Sequence, residues 1–139
     1  MKKIKKMYPI KNGFTLIELL IVIVILGLLM SLVAPAMFSK VDSSKIKAAS
    51  AQMEMLRTSL DTFRLDLGDY PSTLEELRTS EQRGWDGPYL PKSVPMDPWG
   101  NPYVYKVPGE NGQAFLLMSY GKDGQAGGED DAADIMYIE

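Results

Sequence analysis

The chain has no cysteine and no histidine, and these two absences exclude several classes of protein. Without cysteine there is no disulfide framework, no thiolate metal site and no thiol redox chemistry. Without histidine the chain lacks the commonest general base at neutral pH and the usual zinc ligand. No serine has an evident base partner either. The composition therefore predicts a protein that is not an enzyme.

Positive charge is also scarce beyond the N-terminus. The formal charge of the 139 residues is -3, but the first thirteen residues carry five lysines and no acid. The remaining residues hold ten basic and eighteen acidic side chains, a balance of -8. No basic stripe is left there to displace the counterions of a phosphate backbone. We therefore expect no nucleic-acid partner, and the length suits one modest domain.

Charged side chains are missing altogether from Leu19 to Ser39. About 20 apolar residues suffice to cross a bilayer, so this run can be a cleaved secretory signal, a plain membrane anchor, or a leader followed by an assembly helix. A secretory signal has an apolar core of about 7 to 15 residues, shorter than this run, although Ala34-Pro35-Ala36 resembles its cleavage site. The length favours a retained segment.

Glu18 separates the two remaining interpretations. A carboxylate at the centre of a membrane segment costs about 2.5 to 3.5 kcal/mol, and less near an interface, so a plain anchor has no use for it. The string Gly13-Phe14-Thr15-Leu16-Ile17-Glu18 is similar to the prepilin peptidase site of type IV pilins and type II secretion pseudopilins. The resemblance implies cleavage between Gly13 and Phe14, N-methylation of Phe14, and pairing of Glu18 with the Phe14 ammonium of a neighbouring subunit.

These assignments divide the chain into three parts. Residues 1–13 are the expected leader peptide, residues 14–39 the transmembrane and assembly helix, and residues 40–139 a periplasmic domain. The leader lysines retain the cytoplasmic end by charge bias, which predicts a single-pass protein whose C-terminal region lies across the membrane. The resemblance implies that this membrane is the inner membrane. Pro35 removes one intrahelical hydrogen bond and is expected to kink or open the helix. The resemblance implies that residues 27–35 lose helicity in the filament.

Beyond Lys40 the apolar residues become periodic. They follow steps of three and four, which places them on one helical face: Ile46, Ala49, Met53, Leu56, Leu60, Phe63 and Leu67. The pattern predicts one helix from Phe14 to about Leu67, with Gly68 as its C-terminal cap and Tyr70-Pro71 preventing continuation. A sheet or loop of the same chain is the expected partner of this face, and a coiled coil is the alternative.

The rest of the chain predicts a short helix and a small antiparallel sheet. Ser72 with Glu75 reads as a capping box for a helix over residues 73–78. Candidate strands follow at residues 103–107, 114–119 and 135–138, with a hairpin turn after Pro108. The fold class is therefore α+β, a long N-terminal helix packed by its C-terminal half against the sheet.

The segment Asp97-Pro98-Trp99-Gly100 reads as a turn with a structural role. Asp97 can accept hydrogen bonds from backbone amides, Pro98 presets φ, and Gly100 permits a positive φ. Together with Gly68–Pro71 and Ser119–Gly124, this segment resembles the major pseudopilins of type II secretion systems. The resemblance implies a long-helix pseudopilin fold.

An acidic, glycine-rich loop near the C-terminus contains Asp123, Glu129, Asp130, Asp131 and Asp134. A solvated loop and a calcium site are equally consistent with such crowded carboxylates, and the spacing is not that of an EF-hand. The resemblance implies one structural Ca²⁺, bound by the side chains of Asp123, Asp130 and Asp131. It also implies backbone carbonyl ligands near Tyr120 and Lys122.

The resemblance implies the function of the major subunit of a periplasmic pseudopilus, a helical homo-oligomer that drives export of folded proteins across the outer membrane. It also implies four partners: minor pseudopilins, the inner-membrane assembly platform, the prepilin peptidase and membrane lipid. One alternative is a type IV pilin or competence-type pseudopilin that forms a surface or DNA-uptake filament. The other is a membrane-tethered calcium-binding domain that does not polymerise.

Overall fold

The computed structural model describes residues 12–138, so the expected leader lysines lie outside the described residues. Helix α1 spans Leu16–Leu67, and three strands follow: β1 at Val104–Lys106, β2 at Leu116–Ser119 and β3 at Ile135–Met136. Short 3₁₀ helices occur at Leu74–Leu77, Gly121–Asp123 and Asp130–Ala132. The chain forms two compact units, which divide between Phe38 and Ser39.

The first unit contains the apolar half of α1. An 18-residue window of this helix has a mean hydropathy of 3.0, and none of it is buried within the chain. The helix is therefore long and apolar enough to cross a membrane. It continues through Pro35 without interruption, so the expected opening at this residue is not present in the isolated subunit.

The second unit buries one face of the remaining half of α1. Ala49, Met53, Leu56, Leu60 and Phe63 are at most 1% exposed, and both ends of the predicted face are half-buried. The predicted apolar face is thus confirmed. Its cover comes from the same chain, chiefly from the side chains of Leu74, Leu77, Leu90, Tyr103 and Leu117. Burying a large apolar side chain contributes about 1.5 to 3 kcal/mol, so this face supplies much of the stability of the unit.

The sheet is antiparallel in the order β1-β2-β3. Tyr105 pairs with Leu117 between the first two strands, and Met118 pairs with Met136 between the last two. All three predicted strands are present, but each is shorter than expected. In β1 the ladder ends before Pro108, because proline has no backbone N–H to donate.

The connection after α1 confirms one prediction and corrects another. Gly68 has φ +95°, and its N–H donates to the Arg64 carbonyl at 2.8 Å, as expected of a C-terminal cap. The predicted pairing of Ser72 with Glu75 is wrong. The backbone N–H and the hydroxyl of Ser72 both donate to Glu76 Oε1, at 3.2 and 2.7 Å. Thr73 occupies the N-cap position, which places Glu76 three residues into the 3₁₀ helix.

Candidate assembly segment and cation-binding loop

Glu18 lies in the first turn of α1 and makes hydrogen bonds within its own subunit. Its Oε2 accepts from the backbone N–H of Thr15 at 2.9 Å and from the Thr15 hydroxyl at 3.1 Å. The backbone N–H of Glu18 donates in return to Thr15 Oγ1 at 3.2 Å. Thr15 is therefore the N-cap residue of α1, and the two residues form a reciprocal capping box.

The resemblance implies only a partner of Glu18 on another subunit, so this local partner is an addition from the structure. The sequence does contain a signal for this local contact, since a threonine followed three residues later by a glutamate is the capping-box pattern. Phe14 is 85% exposed at the same end of the helix. The structure thus places Gly13, Phe14 and Glu18 at the exposed N-terminal end of an apolar helix, while Pro35 lies inside that helix.

The predicted turn at Asp97 is present. Asp97 Oδ1 accepts from the backbone N–H groups of Trp99 and Asn101, at 3.0 and 2.8 Å. Gly100 has φ +88°, and its N–H donates to the Asp97 carbonyl at 2.9 Å. Asp97 is only 4% exposed. A buried carboxylate that organises this many amide groups explains why the turn needs an aspartate.

The second carboxylate oxygen of Asp97 leaves the turn and contacts the end of β2. Its Oδ2 accepts from the hydroxyl of Ser119 at 2.6 Å, and Ser119 Oγ accepts from the backbone N–H of Gly121 at 3.1 Å. Ser119 is fully buried. No local sequence pattern predicts this connection, because Asp97 and Ser119 are 22 residues apart.

The acidic loop folds into two 3₁₀ turns that pack against each other, Gly121–Asp123 and Asp130–Ala132. Glycine is required where these two turns approach each other. A Cβ atom on Gly128 would lie 2.1 Å from the Ala132 carbonyl oxygen and 3.2 Å from Asp123 Oδ2. No other residue type fits such a gap, and the φ of Gly128 is +86°. The backbone thus approaches the Asp123 carboxylate closely.

The carboxylates of the loop have different surroundings. Asp123 Oδ1 accepts from the Gln125 N–H at 3.0 Å, and Asp134 Oδ2 accepts from the Gly127 N–H at 2.9 Å. Asp134 Oδ1 is buried and accepts no hydrogen bond from the described residues. Asp130 has φ +50°, a conformation uncommon outside glycine, and Asp131 is exposed beside it.

The structure brings Asp123, Gly128 and the Ala132 carbonyl together, whereas Asp130 and Asp131 follow one another on the second turn. Within residues 12–138, no three acidic side chains are grouped closely enough to hold a metal ion. A lysine of the first 3₁₀ turn forms an ion pair with the helix: Lys122 Nζ lies 3.0 Å from Asp42 Oδ2 on α1. This hydrogen bond and the charge of Asp42 raise the pKa of the Lys122 ammonium.

Comparison with known proteins identifies the family. A family model described as type II secretion system (T2SS), protein G, matches residues 36–138, and one described as a prokaryotic N-terminal methylation motif matches residues 10–34. The chain belongs to the type II secretion system protein G family. Both family models match regions that the resemblance had singled out, the apolar N-terminus and the domain with the acidic loop.

Individual members of the family are similar along most of the chain. The type II secretion system core protein G of Pseudomonas aeruginosa is 41% identical over 133 residues, covering 90% of this chain and 93% of the relative. That of Vibrio cholerae is 40% identical over 143 residues, covering 97% and 94%. The crystal structure of the major pseudopilin from enterohaemorrhagic Escherichia coli matches with a TM-score of 0.58 and 28% identity, covering 71% of this chain and 90% of that one.

These similarities confirm the predicted family and the α+β pseudopilin fold. They also confirm the choice of a type II secretion pseudopilin over the alternative of a type IV pilin or a competence-type protein. The family is one of structural subunits. The cleavage site, the role of Glu18 and the calcium ligands remain predictions.

Proposed function

We propose that this chain is the major subunit of a periplasmic pseudopilus and that it acts mechanically rather than catalytically. One observation carries the proposal: the large apolar side chains in the first half of α1 are all at least 50% exposed, and those of Leu28 and Leu32 reach 64% and 77%. Such a surface needs lipid or neighbouring copies around it. A subunit that moves from the membrane into a filament has lipid around this surface first and neighbouring copies afterwards.

Processing at the N-terminus prepares this helix for assembly. Cleavage between Gly13 and Phe14 removes the leader and creates a new amine on Phe14, which is then methylated. Residues 14–39 remain in the inner membrane and residues 40–139 lie in the periplasm. The prepilin peptidase and membrane lipid are thus partners of the precursor, while minor pseudopilins and an inner-membrane platform are partners of the filament.

Glu18 and the new amine of Phe14 form the proposed contact between subunits. Each charge is expensive in an apolar environment when it is alone, and the cost is offset when the two meet. In the isolated subunit the Glu18 carboxylate bonds to Thr15. A carboxylate has about four lone-pair sites on two oxygens, so Oε1 remains available to a second subunit while Oε2 caps the helix.

Two measurements test this function. Mass spectrometry of the mature protein is expected to find an N-methylated Phe14 as the first residue. Cross-linking in membranes is expected to detect oligomers of the wild type but not of Glu18→Ala. Glu54→Ala is the matched control, because Glu54 is an exposed acid on the same helix that forms a local ion pair with Arg57. A native N-terminus at another residue, or normal assembly of Glu18→Ala, would refute the proposal.

The proposed function includes a structural calcium ion bound in the acidic loop. The side chains of Asp123, Asp130 and Asp131 would hold it, with backbone carbonyls of Tyr120 and Lys122. Because no three acidic side chains of residues 12–138 are grouped closely enough to hold an ion, these side chains would have to turn toward one another on binding. Two features of the loop favour a cation. Asp134 Oδ1 is buried and accepts no hydrogen bond from residues 12–138, and Gly128 permits a close backbone approach to Asp123. Calcium accepts carboxylate and carbonyl oxygens in flexible geometry. When bound, the ion would hold the C-terminal residues against the sheet in a chain that has no disulfide.

Chelation tests the calcium site. The wild type is expected to unfold at a higher temperature with calcium than with chelator, since a ligand at about 100 times its Kd adds about 2.7 kcal/mol of stability. Asp123→Ala is expected to lose this difference. Glu110→Ala, an exposed acid on the hairpin turn, is the control and should retain it. Equal midpoints of the wild type with and without calcium would refute the site.

A further inference from the structure

We infer that the second half of α1 has an interface of its own, a row of uncharged side chains on which the α1 helix of a second copy of this chain packs. The inference rests on the proposed function, because it adds a contact between subunits of one filament. All residues of the row belong to the second unit. The uncharged row consists of Ala48, Ala51, Met55, Thr58, Thr62 and Leu65.

The uncharged row is exposed, although the opposite face of the same helix is buried in the core. Every residue of the row is exposed in the subunit, and the exposed fractions of its two large side chains, Met55 and Leu65, are 42% and 84%. A helix face that stays in water normally carries charged and polar side chains. A face without charge along five turns therefore indicates a surface that is covered in the assembled protein.

The charged residues of this stretch lie on a different side of the helix. Glu54, Arg57, Asp61 and Arg64 follow one another in steps of three, four and three, which places them in a second row. Arg57 lies 3.3 Å from both Glu54 and Asp61, so three of the four charges are paired within their own row. The exposed side of the helix is thus divided between a charged row and the uncharged row.

The two threonines of the uncharged row use their hydroxyl hydrogens within the helix. Thr58 Oγ1 donates to the Glu54 carbonyl at 3.0 Å, and Thr62 Oγ1 donates to the Thr58 carbonyl at 2.9 Å. A partner surface therefore does not have to accept a hydrogen bond from either hydroxyl. Threonine is also a poorer helix former than lysine or glutamate, so helix stability in water does not explain its place here.

The spacing of the uncharged row indicates that its partner is another helix. The steps alternate between three and four, an average of 3.5 residues per turn, which keeps a row of side chains facing a second helix in a left-handed supercoil. From Ala48 to Leu65 the row extends over about 26 Å, at about 1.5 Å per residue. The small side chains of Ala48 and Ala51 allow the backbones to approach closely.

A second copy of this chain supplies that helix, because the uncharged row continues toward the segment that the proposed function assigns to assembly. The same spacing extends back through Ser44 to Val41, two residues beyond the end of the charge-free run at Ser39. Copies whose apolar halves are already in contact hold their second halves at high effective concentration. A row with only two large side chains suits such a contact, since it is too weak to form a dimer alone.

The first experiment identifies what covers the uncharged row. The chain has no cysteine, so Thr58→Cys introduces a unique thiol for a benzophenone maleimide label in membranes that contain the assembled protein. Mass spectrometry then identifies the peptide to which the label attaches on illumination. Ser50→Cys is the control, because Ser50 is exposed on the same helix and its hydroxyl also donates to a helix carbonyl, that of Ile46 at 3.1 Å, but it lies outside the row.

The second experiment places a charge in the row. Ala51→Lys is compared with Ser50→Lys, a substitution of the adjacent residue that points about 100° away around the helix. We expect Ala51→Lys to reduce cross-linked oligomers in membranes at least about tenfold, because an unpaired charge in an interface costs more than the about 1.4 kcal/mol that corresponds to this factor. Both residues are exposed, so both variants are expected to keep the thermal midpoint of the wild type.

We expect the label on Thr58→Cys to attach to α1 of another copy, at least about tenfold more than the label on Ser50→Cys, and wild-type assembly of Ser50→Lys. Attachment to a different protein or to lipid alone, or normal assembly of Ala51→Lys, would overturn the inference. The proposed function would still stand in those cases if Glu18→Ala prevents assembly. Equal loss of oligomers in Ser50→Lys would also overturn the inference, and a wild type without oligomers would overturn both.

Discussion

Helix α1 carries apolar side chains along both of its halves, yet the two halves differ completely in burial. Leu26 in the first half is 56% exposed, whereas Leu60 in the second half is fully buried. The difference lies in periodicity, because apolar residues surround the helix before Lys40 but follow a single face after it. A helix that is apolar all round needs an external partner, while a one-sided face can be covered by its own chain.

The strongest test of this comparison is the same substitution in each half. Leu60→Ala is expected to destabilise the second unit by about 2 to 5 kcal/mol, because it leaves a cavity in the core. Leu26→Ala should change this stability by less than about 0.5 kcal/mol. Denaturant unfolding in detergent, followed by the fluorescence of Trp85 and Trp99, measures both. Similar losses of stability in the two variants would contradict this comparison.

A glycine substitution in each of the two compact units should give the next largest difference. Gly128→Ala is expected to cost about 1 to 3 kcal/mol, because its Cβ would clash with the Ala132 carbonyl at a positive φ. Gly127→Ala is the control within the loop, with φ +98° but no atom within 4 Å of its Cβ, and should cost less. Gly27→Ala meets open space in α1 and should add helix stability. Thermal midpoints rank the three variants.

Alkaline pH should distinguish the second unit through the half-buried Tyr105. Burial raises the pKa of Tyr105, and its hydroxyl donates to the Pro71 carbonyl at 2.8 Å. In the unfolded chain the phenol ionises near pH 10, so the wild type loses stability as pH rises above that value. Tyr105→Phe is expected to lose about 1 kcal/mol less between pH 9 and 11. Parallel pH profiles of the two proteins would contradict this prediction.

The smallest expected effect concerns the ion pair between Lys122 and Asp42. The Lys122 side chain is half exposed, so Lys122→Ala should cost only about 0.2 to 1 kcal/mol. Stability measured at low and at about 1 M salt provides the control, because salt screens an exposed pair. A loss that persists at high salt would indicate that Lys122 contributes by packing rather than by charge.

Much of the architecture follows from residues that are close in sequence. The buried face of α1, its end at Gly68 and the turn at Asp97 depend on the spacing of side chains or on one residue's backbone preference, and all three were predicted. The capping errors are of the same local kind. Thr15 with Glu18 was overlooked, and Ser72 was paired with Glu75 instead of Glu76, because helix starts are hard to place within one residue.

The sequence by itself determined which half of the helix is apolar on all sides and which half is apolar on one face only. Periodicity is a property of consecutive residues, so no tertiary contact is needed to recognise it. Only the tertiary structure decided what the second oxygen of Asp97 contacts and how closely Gly128 approaches Asp123. Those contacts join segments far apart in sequence, and their partners are chosen by packing. No local pattern of residue types specifies that choice.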